Sequence, residues 1–174
     1  RDLTGPVVVV GAQRSSDRPS SDAALNLVSG ARVGVAKLGE VVAVMHGETS
    51  DTFGVIHRGT KIRKMHSSRR DAFRSLNASP LGRVHPDGRV ELTDRALPRA
   101  PGPTKVDDAL DPKVALSYFY PDQRPSELEG ILQGLHGIVV AGTGLGHVSH
   151  DLIPVLHRAT RDGVAVVMAT QTLQ

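Results

Sequence analysis

Gly11-Ala12-Gln13-Arg14-Ser15-Ser16-Asp17-Arg18-Pro19-Ser20-Ser21-Asp22-Ala23-Ala24-Leu25-Asn26-Leu27 follows directly on the apolar run Pro6–Val10. The pair reads as a buried strand that delivers a Gly-Ala turn and a polar loop to the start of a helix. In open α/β sheets that position, at the carboxyl end of a strand, is where small ligands bind. Ser20, Ser21 and Asp22 can each cap the helix by accepting an orphan amide hydrogen bond. Leu25, Val28 and Val35 supply a rough apolar stripe, while Gly30 and Gly34 each cost the helix about 1 kcal/mol relative to Ala if interior. A second β-branched run, Val41–Met45, lies one helix further on, which is the spacing of a β-α-β unit.

Outward from this unit, a polar loop His46–Asp51 leads to another short apolar run, Phe53–Ile56. Between Gly82 and Leu92, Asp87-Gly88 separates two alternating stretches, a hairpin signal. Pro98, Pro101, Pro103 and Pro112 exclude a helix or central strand from residues 97–112, which read as a linker. Beyond it Val114–Tyr120 reads as a strand. Ser126 with Glu129 forms a capping box for a helix carrying Leu128, Ile131, Leu132 and Leu135. Gly137–Gly142 is a further buried run ending in Thr143-Gly144-Leu145-Gly146-His147. A helix with Leu152, Val155, Leu156 and Ala159 stops at Asp162-Gly163, and Val164–Met168 is the last strand. The expectation is two α/β lobes, residues 1–96 and 113–174, the second incomplete.

Composition narrows the chemistry. The 174 residues include no cysteine, which excludes disulfides, zinc-thiolate sites and thiol catalysis. Aromatic residues make up 3% of the chain, against an aromatic stacking platform for nucleic acid. No apolar run approaches the ~20 residues of a membrane span, and the first residues lack a signal-peptide pattern. A soluble cytoplasmic protein is expected. Both ends, Arg1-Asp2-Leu3-Thr4 and Thr170-Gln171-Thr172-Leu173-Gln174, look cut, so an internal segment of a longer protein is expected. The net charge of +3 is uneven. Arg58, Lys61, Arg63, Lys64, Arg69, Arg70 and Arg74 face Asp71 alone in one segment, which either attracts anions or forms a solvated basic loop.

Other chemistries lack their residues. Gly142-Thr143-Gly144-Leu145-Gly146 has neither the third glycine of a dinucleotide fingerprint nor a following Gly-Lys-Ser/Thr. It fits a tight strand-to-helix turn that lets a backbone approach closely. His147 and His150 have no partner at helix-face spacing for a metal, and no Gly-x-Ser-x-Gly elbow is present.

The Gly11–Leu27 stretch resembles the segment after an early strand in the asparaginase/glutaminase family. Gly59–Gly82 resembles it too, because Phe73-Arg74-Ser75 and Pro80-Leu81-Gly82 follow a basic stretch at family spacing. The resemblance implies a two-lobed asparaginase-like α/β fold, with a flavodoxin-like first lobe and a smaller parallel α/β second lobe, both incomplete here. Counting back from Phe73-Arg74-Ser75, it places the Lys of a Thr-Asp-Lys triad at Lys64; otherwise Lys64 is a surface cation of a basic loop. A hydroxyl is a poor nucleophile without a base, and an ammonium can relay the proton or stabilise charge. The resemblance also places the Gly11-Ala12 turn against the amide substrate through the Ala12 backbone carbonyl, and a polar residue at His147 near a neighbouring subunit's site.

The family's nucleophilic Thr and Thr-Asp pair precede the first strand read here, so this chain alone is expected to be inactive. Ser15–Asp22 and Met65–Arg70 resemble the branch of the family that releases ammonia inside tRNA-dependent amidotransferases. That implies glutamine or asparagine as amide donor, a kinase/transamidase partner subunit carrying ATP and Mg, glutamyl-tRNA(Gln), and a homodimeric core. No cofactor, metal or membrane is implied for this chain. A free L-asparaginase shares the triad and lobes, and a basic RNA-binding module without catalysis is a third reading.

Overall fold

The computed structural model describes residues 3–173, which divide into two compact units on either side of the Val106–Asp107 bond. In the first unit β1 (Val7–Val9), α1 (Ala23–Gly34) and β2 (Val41–His46) form the expected crossover, with β1 and β2 parallel and Val7 opposite Val41. The sheet then departs from the parallel expectation. β3 (Gly54–Arg58) returns antiparallel to β2. Two further strands, numbered β6 (Gly82–Val84) and β7 (Val90–Leu92) in chain order, extend it as an antiparallel hairpin, giving the order β1-β2-β3-β6-β7. The connections explain this: a loop or tight turn can join only antiparallel neighbours, whereas a parallel pair needs a crossover. The Asp87-Gly88 signal holds, with Gly88 at φ 84° and its N–H donating to the His85 carbonyl at 2.9 Å.

The buried face of α1 is not the stripe expected. Val28 and Val35 are exposed, whereas Asn26, Ser29, Gly30 and Val33 face inward. Gly30 is there for contact distance, since a Cβ would lie 2.5 Å from a Val10 methyl. On the same face of the sheet Val33, Leu38, Val42, Val44, Ile56, Leu81 and Val84 make the core.

The segment between β3 and β6 holds an element missed in the sequence, a separate antiparallel hairpin of β4 (Ile62–Lys64) and β5 (Phe73–Ser75). It is tied to the main sheet by His57 of β3, whose Nδ1 lies 2.8 Å from the Ser75 hydroxyl. The Pro-rich stretch contains no helix or strand, and its start is anchored in the first unit. Leu97 N–H donates to Glu40 at 2.7 Å, and Arg99 Nη2 donates to the Ala36 carbonyl at 2.7 Å.

The second unit is wholly parallel. β8 (Val114–Tyr118), α2 (Pro125–Leu132), β9 (Gly137–Gly142), α3 (Ile153–Arg161) and β10 (Ala165–Thr170) give the order β10-β9-β8. Strands added in one direction by right-handed crossovers put both helices on one face. Leu128, Ile138, Val140, Leu152, Val155 and Leu156 accordingly form one core. The Ser126–Glu129 box is replaced by an earlier start: Pro125 occupies the first helical turn, where its missing N–H costs nothing. Glu127 takes the capping role, accepting from Arg124 N–H at 3.4 Å, and Glu129 pairs with Arg158. Leu135 lies past the end of α2. Among the described residues no helix is long and apolar enough to cross a membrane.

Two charged groups in the first unit make its stability depend on pH. Burial, with the Arg74 cation nearby, pushes His57 down to about 4 from an ordinary 6.5. The unfolded chain therefore binds a proton that the folded one refuses, so stability falls as pH drops from 6.5 towards 4, by about 3 kcal/mol over the interval. Urea melts across this range should show the slope in the native protein and its loss in His57→Leu. Glu40, buried against Arg58 Nε at 2.5 Å, also loses its contribution on acidification, but in a lower pH range. Burial alone would raise its carboxyl pKa, but Arg58 and Leu97 N–H hold it below the ordinary 4.5. Its contribution is complete above pH 4.5 and fades as pH falls through the lowered value. Glu40→Gln should cost about 1–3 kcal/mol at neutral pH, with the gap from wild type narrowing as pH falls below 4.5 in the same melts.

Candidate functional site

The Gly11-Ala12 turn is built over a buried carboxylate. Asp22, fully buried, accepts Gln13 N–H at 3.0 and 3.1 Å, Arg14 N–H at 3.0 Å and the Asn26 side-chain amide at 2.9 Å. Burial raises its pKa, yet the Arg14 and Gln13 amides and Asn26 outweigh it and hold the carboxyl below the usual range. Asp22 stands at the N-cap, but its carboxylate turns to the loop, and it is Ser21 Oγ that accepts Ala23 N–H at 3.2 Å.

This arrangement orients Ala12. Its carbonyl shares a peptide plane with Gln13 N–H, and in a trans peptide the two point in opposite directions. With the N–H donated to Asp22, the Ala12 carbonyl must point away from the buried carboxylate. The peptide before it is fixed as well, because the Gly11 carbonyl accepts from Asn26 Nδ2 at 2.9 Å. Gly11 and Ala12 themselves are exposed.

The β4–β5 hairpin gives physical meaning to the second motif. Lys64 pairs directly across from Phe73, and Met65 N–H closes the ladder on the Ala72 carbonyl at 2.7 Å. The fixed distance from Lys64 to Phe73 is therefore a hairpin register, and one inserted residue would turn Lys64 to the other face. Phe73 faces Lys64, Arg74 pairs with Asp71 at 2.5 Å, and Ser75 meets His57, so each motif residue holds part of the hairpin. Lys64 is exposed.

The two segments meet. Gln13 Nε2 donates to the Arg69 carbonyl at 3.0 Å. Gln13, Arg14, Ser15, Arg18 and Ser20 of the first loop, with Ser68 of the second, line a cavity of about 400 Å³. The basic segment is less free than its sequence suggests. Asp71, held below the ordinary carboxylate range chiefly by Arg69, engages Arg69 at 2.7 Å as well as Arg74. Arg58 is committed to Glu40 and Arg70 to Asp51 at 2.6 Å. Four of the seven cations are thus paired, which removes much of the anionic attraction on which an RNA-binding reading would rest.

His147 belongs to the second unit. The loop around it is a closed turn in which Thr143 N–H and His147 N–H each donate to the other's carbonyl, at 2.9 and 2.8 Å. Gly144 and Gly146 take φ 52° and 101°, and a Cβ on Gly142 would lie 2.5 Å from backbone atoms of Gly146 and His147. The glycine cluster is thereby explained by the turn, and His147 is exposed upon it. Among the described residues no group of three His, Asp or Glu side chains is placed to hold a metal.

Sequence reasoning missed Asn26, His46 and Asp51. His46, 1% exposed, has Nδ1 at 2.8 Å from Asn26 Oδ1 and Nε2 at 3.0 Å from Asp51 Oδ1. One signal was available: Asp22, Asn26 and Ser29 share a helical face, and polar residues at that spacing between apolar ones mark a polar buried stripe.

Residues 1–97 match the family model "Asparaginase, N-terminal", and residues 113–174 match "Glutaminase/Asparaginase C-terminal domain". The chain is 54% identical over 175 aligned positions to the D-type subunit of the glutamyl-tRNA(Gln) amidotransferase of Thermococcus kodakarensis, covering 99% of this chain and 40% of that protein. The corresponding protein of Pyrococcus furiosus gives 54% identity at the same coverage, so the chain spans about two fifths of the length of these relatives. Among solved structures, the thermostable L-asparaginase of T. kodakarensis superposes with a TM-score of 0.86 at 29% identity, over 99% of this chain and 51% of its own. A probable cytoplasmic L-asparaginase from Campylobacter jejuni gives 0.81 at 27% identity, over 98% of this chain and 56% of its own. With both halves matched in order, and the Gly-Ala turn and the lysine hairpin on one unit, the chain belongs to the asparaginase/glutaminase family.

Proposed function

We propose that the chain carries part of the amide-hydrolysing site of a glutamyl-tRNA(Gln) amidotransferase. The observation that supports this best is the meeting of the Gly11-Ala12 loop and the Lys64 hairpin through Gln13 and Arg69. It sets a backbone carbonyl of fixed direction and a lysine on one unit, each in the stretch that resembles the family's site. The relatives named above are subunits of such an amidotransferase.

In the proposed reaction a threonine hydroxyl, supplied from the part of the protein outside these 174 residues, attacks the side-chain amide carbon of glutamine. Its proton passes towards the lysine relay as the carbon–oxygen bond forms. The carbon–nitrogen bond then breaks, the nitrogen takes a proton, and ammonia leaves an acyl-enzyme. Water attacks the ester, returns the threonine hydroxyl and releases glutamate. Lys64 serves the proton transfers with a Thr-Asp pair, while the Ala12 carbonyl accepts from the substrate and fixes its approach. Ammonia is consumed by a kinase/transamidase partner subunit that uses ATP and Mg to activate glutamyl-tRNA(Gln). The amide-hydrolysing protein needs no cofactor of its own, works in the cytoplasm and has a homodimeric core. His147 completes a neighbouring copy's site.

Lys64→Met in the full-length protein should lower kcat for glutamine hydrolysis by about 10²–10⁴-fold with a smaller change in KM. A loss below threefold would remove Lys64 from the chemistry. Ammonia release by the full-length protein, assayed with and without the partner subunit and glutamyl-tRNA(Gln), separates the two enzymatic readings. Glutamine turnover that rises on adding both is the expected result; vigorous asparagine turnover by the protein alone would instead identify a free asparaginase, the activity named for the two solved structures.

A further inference from the structure

We infer that the buried His46 is a positioning residue that couples the Gly11-Ala12 turn to the loop beyond Lys64, so that the direction of the Ala12 carbonyl depends on Asp51 and Arg70 at the far end of the same chain of hydrogen bonds. The role assigned to that carbonyl rests on the proposed amidase reading; the coupling itself rests on geometry.

The chain is continuous. Arg70 Nη1 donates to Asp51 Oδ1 at 2.6 Å, and its Nη2 donates to the Thr49 carbonyl. The same Asp51 oxygen faces His46 Nε2 at 3.0 Å, and His46 Nδ1 faces Asn26 Oδ1 at 2.8 Å. Asn26 Nδ2 then donates to both the Gly11 carbonyl and Asp22 Oδ2, at 2.9 Å each. Asp22 receives Gln13 N–H, the other end of the peptide that carries the Ala12 carbonyl.

The chemistry of Asn26 fixes the direction of these bonds. Its Nδ2 meets two acceptors, so the amide cannot be flipped, and its Oδ1 must accept from His46. Asp51 is held below the ordinary carboxylate range, first by His46 and also by Arg70, and as a carboxylate it too can only accept. Both ring nitrogens of His46 thus face acceptors, so a neutral imidazole, with one N–H, satisfies only one of them, and both are satisfied together only when the ring carries two N–H groups. Asp22, Asn26 and His46 are all at most 1% exposed, so none can substitute water for a lost partner. A change at either acceptor therefore alters which bond the ring holds and is passed to the next link of the chain. A second bridge, Gln13 Nε2 to the Arg69 carbonyl, joins the same two loops and limits how far they can part.

Asp51 gives the cleanest test because its side chain is 63% exposed and its removal leaves the core intact. In the full-length protein, Asp51→Ala should speed hydrogen–deuterium exchange of the peptide spanning residues 11–18 about tenfold, although the polar partners of the Asp51 side chain are His46 and Arg70, outside that peptide. KM for glutamine should rise about fivefold. In a His46→Leu background the further effect of Asp51→Ala on both quantities should fall below twofold, because the joint is already broken. Unchanged exchange at residues 11–18 in Asp51→Ala would overturn the coupling, as would losses that multiply in the double variant. Should His46→Leu fail to fold, Asp51→Ala alone decides through the exchange measurement. If exchange responds but the unsubstituted protein releases no ammonia from glutamine, the coupling stands and the amidase reading falls.

Discussion

A carboxylate without access to water dictates the layout of the first unit. Asp22 sits at the start of α1 with no exposed surface, and an ionised group there is tolerated only where fixed donors replace its hydration. Two of its donors are main-chain amides of the Gly11–Arg14 loop and one is the Asn26 side chain. The loop must therefore wrap over the helix terminus, and the strand β1 that feeds it ends at Val9, just before the Gly11 turn. The helix must in turn come close to that strand, which Gly30 permits by presenting no side chain to Val10. Turn, helix approach and carbonyl direction all follow from the need to satisfy one acid.

The same economy governs the basic segment. Taken alone, seven cations near one acid would repel one another and hold the segment open to solvent. The fold draws in acids from elsewhere in the chain, Glu40 from the start of β2 and Asp51 from the β2–β3 loop. These pairs place the segment relative to β2 and β3, and Asp71 organises the hairpin from within. The cations left unpaired by these bridges include Lys64, the residue the hairpin register presents opposite Phe73. The proton relay proposed for Lys64 calls for a lysine without a carboxylate clamped to it.

Much of this was legible in the sequence where the signal is local. The apolar runs read at Pro6–Val10, Val41–Met45 and Gly137–Gly142 became the strands Val7–Val9, Val41–His46 and Gly137–Gly142, and the Asp87-Gly88 turn and the Asp162-Gly163 stop fell where their residue types place them. Signals that depend on distant partners were misread. The Ser126–Glu129 box competed with Pro125 at the first helical turn and lost, since proline's fixed φ suits that turn without any partner. The α1 stripe was read from apolar residues, but the inward face is largely polar because it serves the loop as well as the core. The β4–β5 hairpin was hidden because Arg63, Lys64 and Arg74 interrupt the alternation that marks a half-buried strand.

The site divides along the same line. Gly11, Ala12 and Lys64 could be singled out as candidates because the family resemblance rests on chain spacing, and the structure shows that spacing to be a turn after a strand and a register across a hairpin. His46, Asn26 and Asp51 were not, because what unites them is spatial: a helix face, the end of a strand and a loop that meet only after folding. A histidine at the carboxyl end of a short strand has no sequence mark that separates a packed ring from a link in a network. Its meaning comes from what stands on either side, an amide oxygen that can only accept and a carboxylate that can only accept. Residues that touch a substrate repeat in recognisable spacing because the substrate fixes their geometry, whereas residues that hold them in place answer to the particular loops of one chain. The positioning layer of such a site is therefore read from hydrogen-bond direction in the folded molecule, where each donor must be matched to an acceptor and few alternative assignments survive.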